Sequence, residues 1–119
     1  MAEFVPVCKL EDIPVGEARQ FKVGDREIAL ARVAPGDCYA IGGRCTHLRG
    51  PLGKGTLKGT TLTCPWHGSQ FDVTSGQLLR WVQEPAWMRV MAGLIPRFLR
   101  RSPPSYEVQV EDGQVSVKI

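Results

Sequence analysis

Two short cysteine–histidine pairs constrain this chain more than any other feature. Cys45-Thr46-His47 and Cys64-Pro65-Trp66-His67 are separated by sixteen residues, and they use both histidines of the chain and two of its four cysteines. Each pair is short enough for both side chains of one loop to converge on a single small object. Together they offer two thiolates and two imidazoles. A structural zinc site takes that set tetrahedrally, usually from one cysteine pair and one histidine pair. Here each pair is mixed, which suits a two-iron cluster whose irons differ in ligation, each loop giving one ligand to each iron. From these residues alone, a zinc-stabilised interaction module stays the alternative.

The remaining residues must build a scaffold under those loops. A length of 119 residues, with 43% hydrophobic and 23% charged residues, is that of one soluble domain with its own core. A single domain over 1–119 is therefore expected. The sequence has no run of about 18 apolar residues to span a membrane. It also begins without a basic stretch leading into an apolar one, so the expected compartment is the cytoplasm. Thiols stay reduced there, so Cys8, Cys38, Cys45 and Cys64 read as ligands or buried thiols rather than two disulfides. Cys8 and Cys38 have no histidine near them and are assigned to the apolar interior.

Short strand signals alternate with turns along the whole chain. Residues 4–7 are β-rich; 21–23 and 27–33 flank a tight turn at Gly24-Asp25; a turn at 35–37 precedes extended 38–41. Threonines and leucines favour strand across 57–63, and valines alternate on both sides of Asp112-Gly113 in a hairpin pattern. This is the rhythm of a small all-β antiparallel sandwich or barrel. Glycines crowd 42–55 without a strand–GxGxxG–helix unit around them. They read as positions where loop backbone must approach a bound group closely.

Residues 81–104 break the rhythm. Glu84-Pro85 is a helix start, and Trp87, Met91, Leu94, Ile95 and Phe98 recur on one helical face, with Pro96 ending or kinking the helix near 94–95. The stretch 80–101 holds five arginines and one glutamate, whereas the rest of the chain holds ten basic and eleven acidic residues. The expectation is an inserted helix that packs Trp87, Met91, Leu94 and Phe98 on the β core. Its arginines then face outward and steer an acidic redox partner. Docking of a partner on the helix and contact with an anionic membrane surface are the alternatives. No motif accompanies the positive charge to suggest nucleic acid as a partner.

With these residues in view, the chain resembles the Rieske [2Fe–2S] family. Cys45-Thr-His47-Leu and Cys64-Pro-Trp-His67-Gly-Ser look like the two cluster-binding boxes of that family, with Leu52 and Gly55 between them. The resemblance implies that Cys45 and Cys64 bind a buried iron and His47 and His67 an outer one. It also implies a loop-built cluster subdomain, about 42–55 and 64–76, on a Rieske-type β fold. By the same resemblance the chain is not an enzyme alone but an electron carrier, serving a flavin-containing reductase and a terminal oxygenase. A small accessory subunit of a reductase, such as nitrite reductase, is the alternative with the same fold; those relatives generally lack the four ligands. Rieske subunits of cytochrome bc complexes carry an extra cysteine in each box and a tyrosine after the Gly-Ser pair. Arg49 or Gly50, Trp66 and Phe71 stand at those positions here, while Ser69 is retained. Fewer hydrogen bonds to sulfur lower a cluster's potential. Redox titration of the loaded protein should therefore give a midpoint of about −150 mV, and Phe71→Tyr should raise it.

Overall fold

A computed structural model describes residues 4–46, 50–66, 68–81, 86–94 and 102–119. The strands are β1 (Phe4–Lys9), β2 (Glu17–Val23), β3 (Arg26–Ala34), β4 (Asp37–Gly42), β5 (Thr56–Lys58), β6 (Thr61–Thr63), β7 (Gln70–Asp72) and β8 (Leu78–Arg80). Helix α1 (Ala86–Gly93) follows, then β9 (Ser105–Tyr106), β10 (Val108–Glu111) and β11 (Gln114–Lys118). They form three antiparallel sheets, ordered β1-β11-β10, β2-β3-β4-β9 and β5-β6-β7-β8. The all-β expectation holds. The tight turn at Gly24-Asp25 and the hairpin at Asp112-Gly113 are both present. Residues 57–63 fall in two strands rather than one, because Gly59 turns the chain at φ 60° and sets Leu57 opposite Leu62.

β3 explains the stacking. Ile28, Ala29, Leu30 and Ala31 are all fully buried, so this strand is covered on both faces. Side chains alternate along a strand. Ile28 and Leu30 join Cys38, Ala40, Val115 and Val117 in the layer against the terminal sheet. Ala29 and Ala31 turn the other way and join Ala18, Ile41, Leu57, Leu62 and Phe71. Bulk fills one face; alanine on the other leaves room for the β5–β8 meander to come close.

After α1 the chain returns along the end of β4, where the Gly42 N–H donates to the Pro104 carbonyl at 2.8 Å. That return places 102–104 beside the loop that leaves β4. The helix stops at Gly93, ahead of Pro96, as its sequence anticipates. Its orientation does not follow the expectation. Trp87, Met91 and Leu94 are 64%, 60% and 73% exposed, so they do not pack on the β core. The buried position is Ala92, whose carbonyl accepts a hydrogen bond from the Trp81 indole at 3.1 Å. Apolar residues lie on both sides of this helix, so periodicity alone does not choose the side that is covered. Phe98, Ile95, Glu84-Pro85 and the arginines at 97, 100 and 101 lie outside the described residues.

Unfolding in urea should separate these positions. Leu30→Ala should cost about 2–5 kcal/mol, and Ala31→Leu about 1–3 kcal/mol through overpacking. Trp87→Ala should stay within about 0.5 kcal/mol of wild type.

Candidate metal centre

The first cysteine loop is a narrow hairpin-like arch growing from β4. Leu52 N–H donates to the Gly43 carbonyl at 2.9 Å, Arg44 and Pro51 form a β-bridge, and Cys45 N–H donates to the Gly50 carbonyl at 2.8 Å. The second loop repeats the pattern between β6 and β7. Thr63 pairs with Gln70, and Cys64 N–H donates to the Ser69 carbonyl at 2.7 Å. In both loops the cysteine amide is tied to the carbonyl five residues later, and a histidine lies in the closed stretch. His47 and His67 themselves lie outside the described residues.

The two tips meet. A Cβ placed on Gly50 would sit 2.8 Å from the Cys64 Sγ and 3.1 Å from ring carbons of Trp66. Only glycine lets the first loop close on the second thiol at that distance. Cys45 and Cys64 are buried in one cluster with Leu52, Leu62 and Phe71. Of the four ligands expected from the sequence, the described residues therefore contain the two cysteines, and the fold gathers them into one pocket of core.

Gln20 was not visible in the sequence as part of this site. Its carboxamide donates to the Gly43 carbonyl and accepts from the Gly53 N–H, both at 2.8 Å, so it bridges the two feet of the first loop. A Cβ on Gly53 would fall 2.5 Å from the Gln20 backbone, so the loop lies directly on β2. Arg44 adds a salt bridge to Glu27 on β3, with a second contact from Nη2 to Oε1 at 2.8 Å. A glutamine in the middle of a strand carries no local signal, since only the returning loop gives it partners.

Two hydroxyls bear on what the pocket holds. Ser69 is fully buried, and its Oγ has no hydrogen-bond partner among the described residues; the same is true of the buried Thr46 Oγ1. Buried hydroxyls normally find an acceptor. Thr46 adjoins Cys45, and Ser69 closes the Cys64 loop. A group that takes thiolates as ligands and brings sulfur acceptors satisfies both needs, and a [2Fe–2S] cluster is such a group. A single ion held by the same side chains brings no acceptor atoms of its own.

Cys8 and Cys38 belong to the other layer, against Ile28, Leu30 and Val115. Burial pushes the Cys8 thiol from an ordinary 9.0 up to about 11, with the negative charge of Asp12 adding to the effect. Burial also raises Cys38, partly offset by Arg32. Both belong to a different core cluster from Cys45 and Cys64.

The Rieske [2Fe–2S] domain family model matches residues 3–97. This chain belongs to that family. The cofactor of this Rieske domain is accordingly a single [2Fe–2S] cluster. The ferredoxin component of the naphthalene 1,2-dioxygenase/salicylate 5-hydroxylase systems of Ralstonia sp. is 41% identical over 76 residues, 64% of this chain and 72% of its own length. Mouse apoptosis-inducing factor 3 is 35% identical over 72 residues, 60% of this chain, but this chain spans only 12% of its length. Among solved structures, the complex of reduced oxygenase and oxidized ferredoxin in carbazole 1,9a-dioxygenase includes a chain 30% identical, with a TM-score of 0.72, covering 95% of this chain and 99% of that one. The ferredoxin of carbazole 1,9a-dioxygenase from Nocardioides aromaticivorans IC177 is 23% identical and shares the fold, with a TM-score of 0.75 over 96% of this chain and 95% of its own.

Gly50→Ala should lower the iron and sulfide bound per chain, since the added methyl displaces the Cys64 thiol; metal analysis reads this directly. At pH 8 iodoacetamide should alkylate native Cys8 about a hundredfold more slowly than the same thiol in the unfolded chain, because its thiolate fraction is that much smaller. The folded thiol keeps its proton to a higher pH than the unfolded one. Its contribution to stability is therefore complete below pH 9.0 and lost as pH rises towards about 11. Urea midpoints should fall more steeply across that window for wild type than for Cys8→Ala.

Proposed function

We propose that this Rieske domain is a one-electron carrier in which Cys45 and Cys64 hold the inner iron and His47 and His67 the outer iron. The reading rests above all on the closure of Gly50 against the Cys64 thiol, which brings the two boxes together as one ligand-bearing unit. When bound, the cluster supplies reversible one-electron redox chemistry. The chain's own residues do the rest. Backbone bonds from each cysteine amide lock the loops in shape, Gln20 seats the first loop on β2, and the Ser69 and Thr46 hydroxyls are available as donors to sulfur.

The partners proposed are a flavin-containing reductase as donor and a terminal oxygenase as acceptor. Two observations support them: the kinship with ferredoxin components of dioxygenase systems, and the solved ferredoxin–oxygenase complex of a 30% identical relative. Trp66 is 54% exposed at the tip of the second loop and lies over Gly50. Its ring shields the Cys64 sulfur from water on one side and offers a partner an apolar contact on the other.

Replacing any of Cys45, His47, Cys64 or His67 by alanine should abolish the visible absorption and the bound iron and sulfide, and should loosen both loops, because ligand binding there is also folding energy. If one of the four alanine variants keeps a full complement of iron and sulfide, that ligand assignment is wrong. Trp66→Ala should keep its iron but slow electron delivery to the oxygenase about tenfold in stopped-flow mixing.

A further inference from the structure

The residue before each cluster-loop cysteine is held by a side-chain bond, and the two bonds differ in charge. Ahead of Cys64, the Thr63 hydroxyl accepts from the Gln70 carboxamide at 3.2 Å, a neutral contact between β6 and β7. Ahead of Cys45, Arg44 makes a two-point ion pair with Glu27 on β3, seventeen residues earlier in the chain. Its side chains are 35% and 29% exposed, the most enclosed of the three ion pairs among the described residues. Glu27 holds this stretch a second time, since its backbone carbonyl accepts from the Gly43 N–H at 2.8 Å. A Cβ on Gly43 would stand 2.9 Å from the Glu27 carbonyl carbon, so the loop lies directly on β3 there. One residue thus fixes both positions that lead into Cys45.

Position alone does not call for charge, because Thr63 and Gln70 do the equivalent work without any. The charge bears on the redox step. Reduction adds an electron to the cluster, so a fixed cation nearby favours the reduced state and a fixed anion the oxidised one. Arg44 adjoins Cys45 in the chain, their Cα atoms about 3.8 Å apart. Lys22, which stands opposite Glu27 in the β2–β3 register, lines the same cleft beside the first loop, with Asp25 and Arg26. Three cations there meet two acids, Asp25 and Glu27. Loss of the Glu27 charge leaves three against one.

We propose that Glu27 is a positioning residue for electron transfer, fixing Arg44 and the Cys45 end of the first loop while its negative charge keeps the cluster at a lower potential than Arg44 alone would set. This role rests on Cys45 being an iron ligand, as proposed above. A lower potential makes the reduced domain a stronger electron donor.

Midpoint potentials and iron loss to a chelator, both measured on the cluster-loaded protein, test this. Glu27→Gln keeps the shape of the side chain without its charge, and its midpoint should lie above wild type. Arg44→Gln should lie below wild type, and the double variant between the two single ones. Glu27→Asp keeps the charge on a shorter arm. Its midpoint should stay nearer wild type than that of Glu27→Gln, while iron is lost about fivefold faster than from wild type. A Glu27→Gln midpoint at or below wild type overturns the proposal. So does a Glu27→Asp midpoint shifted as far as that of Glu27→Gln, or iron loss unchanged in Glu27→Asp. If Glu27→Gln takes up no cluster, an Arg44→Gln midpoint at or above wild type overturns it instead. Cys45→Ala separates the two readings. If that variant keeps its cluster, the ligand assignment falls and the role of Glu27 falls with it; if it loses the cluster while Glu27→Gln titrates as wild type, only the role of Glu27 falls.

Discussion

Two cysteine loops must approach each other closely enough to hold one group between them, and a Cβ on Gly50 would stand 2.8 Å from the Cys64 sulfur. A side chain on Gly50 would separate the loops by the width of a methyl group. Everything nearby serves the same closeness. Each cysteine amide is tied to a carbonyl five residues on, which closes the base of each loop. The feet of the first loop rest on β2 through Gln20, with no atom to spare at Gly53. Preorganisation of this kind lowers the conformational entropy lost when the cofactor binds.

The layered core follows from the same demand. In the central sheet, β3 meets the terminal sheet with Ile28 and Leu30 and meets the cluster layer with Ala29 and Ala31. Large side chains on the first face bury apolar surface against the terminal sheet, and Leu52, Leu62 and Phe71 do the same on the second. Small ones on the second bring β5 and the 52–54 turn down onto β2 and β3. The strands of the cluster layer are three residues each, and their buried side chains pack with those of the central sheet in one core. Cys8 and Cys38 sit against the terminal sheet, and burial there raises both thiol pKa values.

The cysteine loops sit at one end of β4 and β6, with Trp66 exposed over them. The helix hangs from the end of β8, tied by Trp81, with its stripe of apolar residues turned to solvent. An electron carrier has to meet its partners repeatedly and leave each time.

Much of this was legible in the chain before folding. The ligands could be read because the pairing of cysteine with histidine at two- and three-residue spacing is chemically rare and local. The β hairpins could be read because alternation and turn residues act between neighbours, so 21–33 and 108–118 needed nothing from elsewhere. The closing contacts could not. Gln20 lies 33 residues from Gly53, and no pattern in either segment announces the other. The helix is the clearest case: its existence, and its end before Pro96, follow from local propensity, but its orientation does not. Trp87, Met91 and Leu94 form as good an apolar face as any core helix has, and sequence periodicity says only that they lie together. Which face is covered depends on contacts from outside the helix, such as the Trp81 indole on the carbonyl of the buried Ala92. Spacing along the chain determined the chemistry and the strands; steric fit between distant segments decided what the site rests on and what the surface shows.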